Sequence, residues 1–162
     1  MTGQSAPIEA AHPPDIVMRV LNSVLRRILR TPLGRPLSDF MLLDFTGRKS
    51  GRRFSIPVSA HHLDGQLYAI LEAQWKYNFR GGADVTVSHR GTTSLMRGEL
   101  ITDPAVVVDI ARRVAEDYGA RRAQRSMGMA FPGDRLPTVA EWQETVSRRK
   151  LSAIKLVPAA PR

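Results

Sequence analysis

The sequence predicts an α+β domain built around a small, mostly antiparallel β-barrel of about six strands. Three observations carry that expectation. Between residues 39 and 102, short apolar or alternating runs follow one another, separated by turn residues. The connections between them are too short for the crossovers of a parallel sheet. A helical pattern precedes these runs and two more follow them, so helices and strands are segregated along the chain.

The first helix is expected over residues 15–30, DIVMRVLNSVLRRILR. Pro13 and Pro14 precede it, Asp15 can cap it, and TPLG at 31–34 stops it. Val17, Leu21, Val24, Leu25 and Ile28 share one face, while Arg19, Arg26, Arg27 and Arg30 crowd the other. Such a helix either packs its apolar face on its own domain or lies on an anionic membrane surface.

The strands come next. FMLLDF is a short apolar run, and FSIPVSAHHL reads as one strand in which Pro57 marks an edge or a bulge. Asp64-Gly65 offers a tight hairpin turn before QLYAILEA. ADVTVSHR alternates, Gly91 turns the chain, and TSLMRGELI returns. The segment WKYNFRGG at 75–82 breaks the pattern and predicts a short helical connection.

In the C-terminal half, Asp103 caps a helix that carries Pro104 in its first turn and stops at Gly119. Thr138 and Glu141 have the spacing of a capping box at the start of TVAEWQETVSRR. Residues 120–137, rich in Arg, Met, Gly and Pro, predict a loop, and LSAIKLV a last strand. One domain over 15–158 is expected, with tails at 1–14 and 159–162.

Composition narrows the chemistry. Cysteine is absent, which excludes disulfides, thiolate metal sites and cysteine nucleophiles and suits a reducing, cytoplasmic setting. Lys and Arg number 24 against 15 Asp and Glu, giving +9, a charge that attracts phosphates, nucleic acid or an anionic membrane. The sparse aromatics (6%) form no regular stacking platform and argue against single-strand nucleic acid. His61 and His62 are neighbours on a strand, so they face opposite sides and cannot share a metal.

The densest positive charge is TGRKSGRR at 46–53. Gly47 and Gly51 can take positive φ, backbone N–H groups in such a turn can form an anion-binding concavity, and Arg48, Lys49, Ser50 and Arg53 add cations and a hydroxyl. The same composition also suits a solvated hairpin turn. Trp75, Tyr77 and Phe79 can wall a pocket around a planar ring or plug the end of the barrel; Arg80 can meet a phosphate, and so can Lys76, which is expected instead as a surface charge.

The order of parts resembles the deazaflavin-dependent nitroreductases, also called F420-dependent quinone reductases. The likeness runs over about residues 15–102: a helix, an apolar strand, GRKSG, a Pro-containing strand, and W-x-x-N followed by a basic residue. It implies a split β-barrel related to flavin- and FMN-binding reductases. It further implies a phosphate-binding turn at Arg48, Lys49, Ser50 and Gly51, with Trp75, Asn78 and Arg80 in the aromatic segment. Coenzyme F420 is the implied cofactor, FMN or haem the alternatives. The implied activity is hydride transfer to a quinone, enone or nitro compound, the alternative a barrel that holds a lipid, haem or other small ligand without catalysis. Many such barrels bind cofactors between two copies, which implies a homodimer. The chain departs from the pattern in three places. Phe54 stands where an arginine is usual, and LEAQ leads directly into WKYN without the longer glycine-containing stretch. The C-terminal tyrosines that line the substrate pocket in some members have no match, Tyr118 being the only tyrosine in that region.

Overall fold

The stretch FSIPVSAHHL does not run as one strand: it breaks at Ala60, and that break closes the sheet. The computed structural model describes residues 8–10 and 15–159. In chain order the elements are β1 (Glu9–Ala10), α1 (Asp15–Leu29), β2 (Phe40–Thr46), β3 (Arg53–Ser59), β4 (His61–Leu63), β5 (Gln66–Leu71), β6 (Ala83–His89) and β7 (Thr92–Ile101). There follow α2 (Pro104–Tyr118), α3 (Ala120–Met127), β8 (Met129–Ala130), α4 (Val139–Arg149) and β9 (Ser152–Pro158). Single 3₁₀ segments cover Pro32–Gly34, Gln74–Phe79 and Pro132–Asp134.

Seven strands form one antiparallel sheet in the order β3-β2-β6-β7-β9-β5-β4. Its two edge strands, β3 and β4, are separated in the chain by Ala60 alone. A flat seven-stranded sheet would hold its edges about 28 Å apart at ~4.7 Å per strand step, a span that one residue cannot bridge. The sheet must therefore curl until its edges meet, and the fold is an α+β split barrel. The Ala60 N–H donates to the Asp39 carbonyl at 2.8 Å and carries the β2–β3 ladder up to the break. Pro57 sits on an edge strand, where its missing N–H costs no ladder bond.

Alternation along the strands then makes two cores. Met41, Leu43, Phe45, Leu67, Ala69, Val85, Val87, Ile154 and Leu156 point inward and fill the barrel with Phe79. Leu63, Ala153 and the half-buried Tyr68 and Ile70 point outward under α2 and α4, against Val107, Ala111, Val114, Trp142 and Val146. A fully buried side chain of this size contributes roughly 1.5–3 kcal/mol, against ~0.2–1 for an exposed ion pair. Packing, not the surface ion pairs, holds the fold.

Several expectations change. The expected six strands become seven in the barrel, with β1 and β8 as an additional pair. Residues 120–137 are not a loop: α3 buries Ala123 and Met127, and Met129 and Phe131 join the outer core. The pattern hid because α3 packs through small residues on an otherwise basic helix. Residues 8–10 do not belong to a loose tail. Ile8 is buried in the outer core, and Glu9–Ala10 pairs with Met129–Ala130. The rest of the expected N-terminal tail, 1–7 and 11–14, and residues 160–162 at the C-terminus lie outside the described residues.

The predicted caps are present. Asp103 accepts from the Ala105 N–H at 3.0 Å. Thr138 and Glu141 form a reciprocal capping box, and Glu141 also receives Arg135 through two bonds, at 2.7 and 3.2 Å. The Arg135 bonds, followed by the Thr138 N–H, hold the Glu141 carboxyl well below its usual value, at about 2. His61 lies beneath Tyr118, its Nδ1 3.3 Å from the phenol oxygen, and burial lowers its pKa to about 4.

Two stability predictions follow from these groups. Folding favours neutral His61, so the unfolded chain takes up a proton first as pH falls below 6.5. Stability in urea melts should drop by on the order of 3 kcal/mol between pH 6.5 and about 4, and His61→Gln should flatten that limb. Glu141 acts lower: its stabilisation is complete above the ordinary value of 4.5 and lost as pH falls towards 2. Glu141→Gln should cost roughly 1–3 kcal/mol at neutral pH in the same measurement.

Candidate functional site

At the end of the barrel where β2 turns into β3, residues 47–52 form a closed turn. The Gly47 N–H donates to the Arg52 carbonyl at 2.7 Å, and the Gly51 N–H donates to the Gly47 carbonyl at 3.0 Å. Gly51 alone of the two glycines takes a left-handed backbone, with φ of 65°. Gly47 serves differently: a Cβ there would lie 2.9 Å from both the Phe54 ring and the Ser50 hydroxyl. The Arg52 N–H donates to Ser50 Oγ at 3.1 Å, which leaves the Ser50 O–H free to donate outward.

The turn is tied to the 3₁₀ segment Gln74–Phe79. Asn78 accepts from the Arg48 N–H at 3.0 Å and donates through Nδ2 to the Trp75 carbonyl at 2.8 Å. Arg48 reaches further and donates through Nη2 to the Gly82 carbonyl at 2.8 Å. One amide side chain thus joins two loops that are 30 residues apart.

Between these loops lies a cleft of about 430 Å³, lined by Arg48, Lys49, Ser50, Phe54, Gln74, Tyr77, Asn78 and Arg80. None of the lining residues is a carboxylate. The Arg80 guanidinium lies 5.0 Å from the centre of the Tyr77 ring, a cation–π contact that turns the charge along the cleft wall. Three cations converging without a counter-charge produce a positive potential that only an anion or salt can relieve. Arg48, Lys49 and Ser50 can supply charged or hydroxyl donors to such an anion, and Arg80 can approach it from the far wall.

The structure divides the sequence-predicted set. Arg48, Lys49, Ser50, Asn78 and Arg80 lie on this cleft, and Gly51 is the hinge of its turn. Arg53 does not join them. Strand alternation sends it to the outer face, into a second cleft with Arg30, Asp44, Thr46, Ser55 and Thr86. Trp75 is half-buried against the inner aromatic group, 5.6 Å from Phe45 and 6.2 Å from Phe79 between ring centres. Phe45 in turn stacks on Phe54 at 5.0 Å. Lys76 is not the surface charge expected of it: its ammonium is buried and donates to the Lys150 carbonyl at the end of α4. Burial lowers its pKa, with Glu72 pulling the other way. Tyr77, one of the aromatic residues expected to wall a pocket, lines the cleft, and so do Phe54 and Gln74, which were not expected there. Strand parity at Phe54 and its position beside GRKSG were the available signal; Gln74 carried none.

No protein-family model matches the chain, and no curated protein matches it. Among solved structures it is similar to the conserved hypothetical protein Rv2991 from Mycobacterium tuberculosis, at 13% identity and a TM-score of 0.44, over 98% of this chain and 87% of that one. It is also similar to a domain-swapped dimer, at 12% identity and 0.43, over 86% and 98%. A third likeness is to a candidate 5-nitroimidazole antibiotic resistance protein from Bacteroides thetaiotaomicron, at 9% and 0.38, over 95% and 86%. With every one of these scores below 0.5, the split barrel rests on this chain's own sheet.

The turn geometry yields a prediction. Gly51→Ala meets no neighbouring atom within 4 Å, so its cost is backbone strain alone, about 1–2 kcal/mol in urea unfolding. Gly51→Asn should lose less, because asparagine tolerates the left-handed region better than alanine.

Proposed function

We propose that this cleft holds the phosphate-bearing end of a redox cofactor, a deazaflavin such as coenzyme F420 or a flavin, and that the protein is an oxidoreductase acting on a small electron-poor acceptor. The observation that carries the proposal is the convergence of Arg48, Lys49 and Arg80, with the Ser50 hydroxyl, on one carboxylate-free cleft. The resemblance of GRKSG and W-x-x-N to the deazaflavin-dependent nitroreductases supports the same choice of ligand.

The residues fit an anionic group. Arg48 is fixed by Gly82 through one nitrogen and keeps its remaining N–H donors for a phosphate oxygen. Lys49, exposed at the apex of the turn, adds a mobile charge, and Tyr77 and Phe54 supply flat apolar walls beside it. When bound, the cofactor supplies a hydride to a quinone, enone or nitro compound. The work left to the protein is to orient the cofactor by its anionic end and to keep water from the reacting face.

A second reading is a barrel of the same shape that binds a small ligand without catalysis. It is favoured by the connection after β5, where only Glu72 and Ala73 precede the 3₁₀ segment. That connection contributes no loop to enclose a ring, and the nearby aromatic rings pack against one another.

Fluorescence titration with oxidised coenzyme F420 and with FMN tests both readings. Replacing Arg48 and Lys49 together by alanine should weaken cofactor binding by about 2–4 kcal/mol. Because Arg48 also ties the turn to Gly82, Lys49→Ala alone serves as the variant with no structural bond at stake. Unchanged affinity in both variants would refute the assigned anion site. Failure of the unaltered protein to bind either cofactor would favour the non-catalytic reading.

A further inference from the structure

Helix α1 buries only part of its apolar surface. Leu29 is fully buried and Asn22 and Arg26 are half-buried on the same face. Arg30, one turn on, extends over the sheet and donates to Asp44 at 2.9 Å and to Ser55 at 2.8 Å. At 3.6 residues per turn, positions 20, 21 and 24 point the opposite way. They are Val20, Leu21 and Val24, exposed by 62%, 45% and 47%. Leu33, in the turn that follows, is 74% exposed. Of the apolar stripe that the sequence offered as a packing face, Leu25 and Ile28 are half-buried, whereas Leu21 and Val24 are turned to the outside with Val20.

Its borders are basic. Between Asp15 and Asp39 the chain holds Arg19, Arg26, Arg27, Arg30 and Arg35 and no acidic residue. Arg30 is paired with Asp44, whereas Arg19, Arg27 and Arg35 are exposed. An apolar stripe edged by exposed guanidinium groups with no acidic partner among the described residues matches a surface that presents acyl chains beneath negative headgroups. It suits a second copy of itself poorly, because a face-to-face pair would set arginine against arginine. Among the described residues no helix is long and apolar enough to cross a membrane, so the geometry is that of a helix lying on the surface.

We propose that α1 docks the protein onto an anionic lipid surface. Val20, Leu21 and Val24 enter the boundary between headgroups and acyl chains, and Arg19, Arg27 and Arg35 meet headgroup phosphates. This use of α1 is independent of the cleft at the other loops, and either assignment can fail alone.

Flotation of the full chain with phospholipid vesicles tests the proposal. The protein should rise with vesicles containing about a third phosphatidylserine, stay down with pure phosphatidylcholine, and be released by salt. Val20→Asp with Val24→Asp should lower the bound fraction by about tenfold or more, and Arg27→Glu should lower it by a smaller factor. Both changes are at exposed positions, so the thermal unfolding midpoint should remain that of the unaltered protein. Three results would overturn the proposal. They are equal flotation of the double variant, equal flotation with neutral vesicles, or no flotation by a protein whose sedimentation shows dimers that V20D/V24D dissociates.

Discussion

The edges of a seven-stranded sheet are held one residue apart. Because β3 and β4 flank Ala60, the sheet cannot lie flat, and everything else is arranged around that closure. It converts strand alternation into an inside and an outside. The inside is filled by one set of side chains, and the outside beneath α2 and α4 by the other. It also gives the barrel an end, and the loops at that end are brought together although they are far apart in sequence.

What happens at the barrel end is decided by polar geometry. Asn78 binds one loop through its oxygen and the other through its nitrogen, so the basic turn is held against the 3₁₀ segment and not left to sway in water. Of the motif's cations, Arg48 is anchored and Lys49 is free, a division between a rigid and an adaptable donor. The aromatic residues around Phe45 pack on one another, and through Phe54 they back one wall of the cleft.

Positive charge is used in three ways on this protein. Some arginines neutralise carboxylates, as Arg113 does Asp64 and Arg149 does Glu72. Lys76 closes a helix C-terminus from a buried position, where the partial negative charge of the last carbonyls offsets part of its desolvation. A third group, Arg48, Lys49 and Arg80 at the cleft and Arg27 and Arg35 in and just after α1, has no acidic partner among the described residues. Net charge alone cannot separate these uses; the positions of the acids do.

The sequence by itself determined the antiparallel barrel, the caps at Asp103 and Thr138, the turn at Asp64-Gly65 and the cluster of charge at residues 46–53. Each of these is a local matter of side-chain period, backbone φ or short-range hydrogen bonding, and so is legible in a few consecutive residues. Only the tertiary structure decided that FSIPVSAHHL is two strands, that Ile8 belongs to the core and that Lys76 is buried. Those outcomes depend on which surfaces meet across the closed sheet. Meeting is a long-range property, set by the register of strands dozens of residues apart and not written in any one of them.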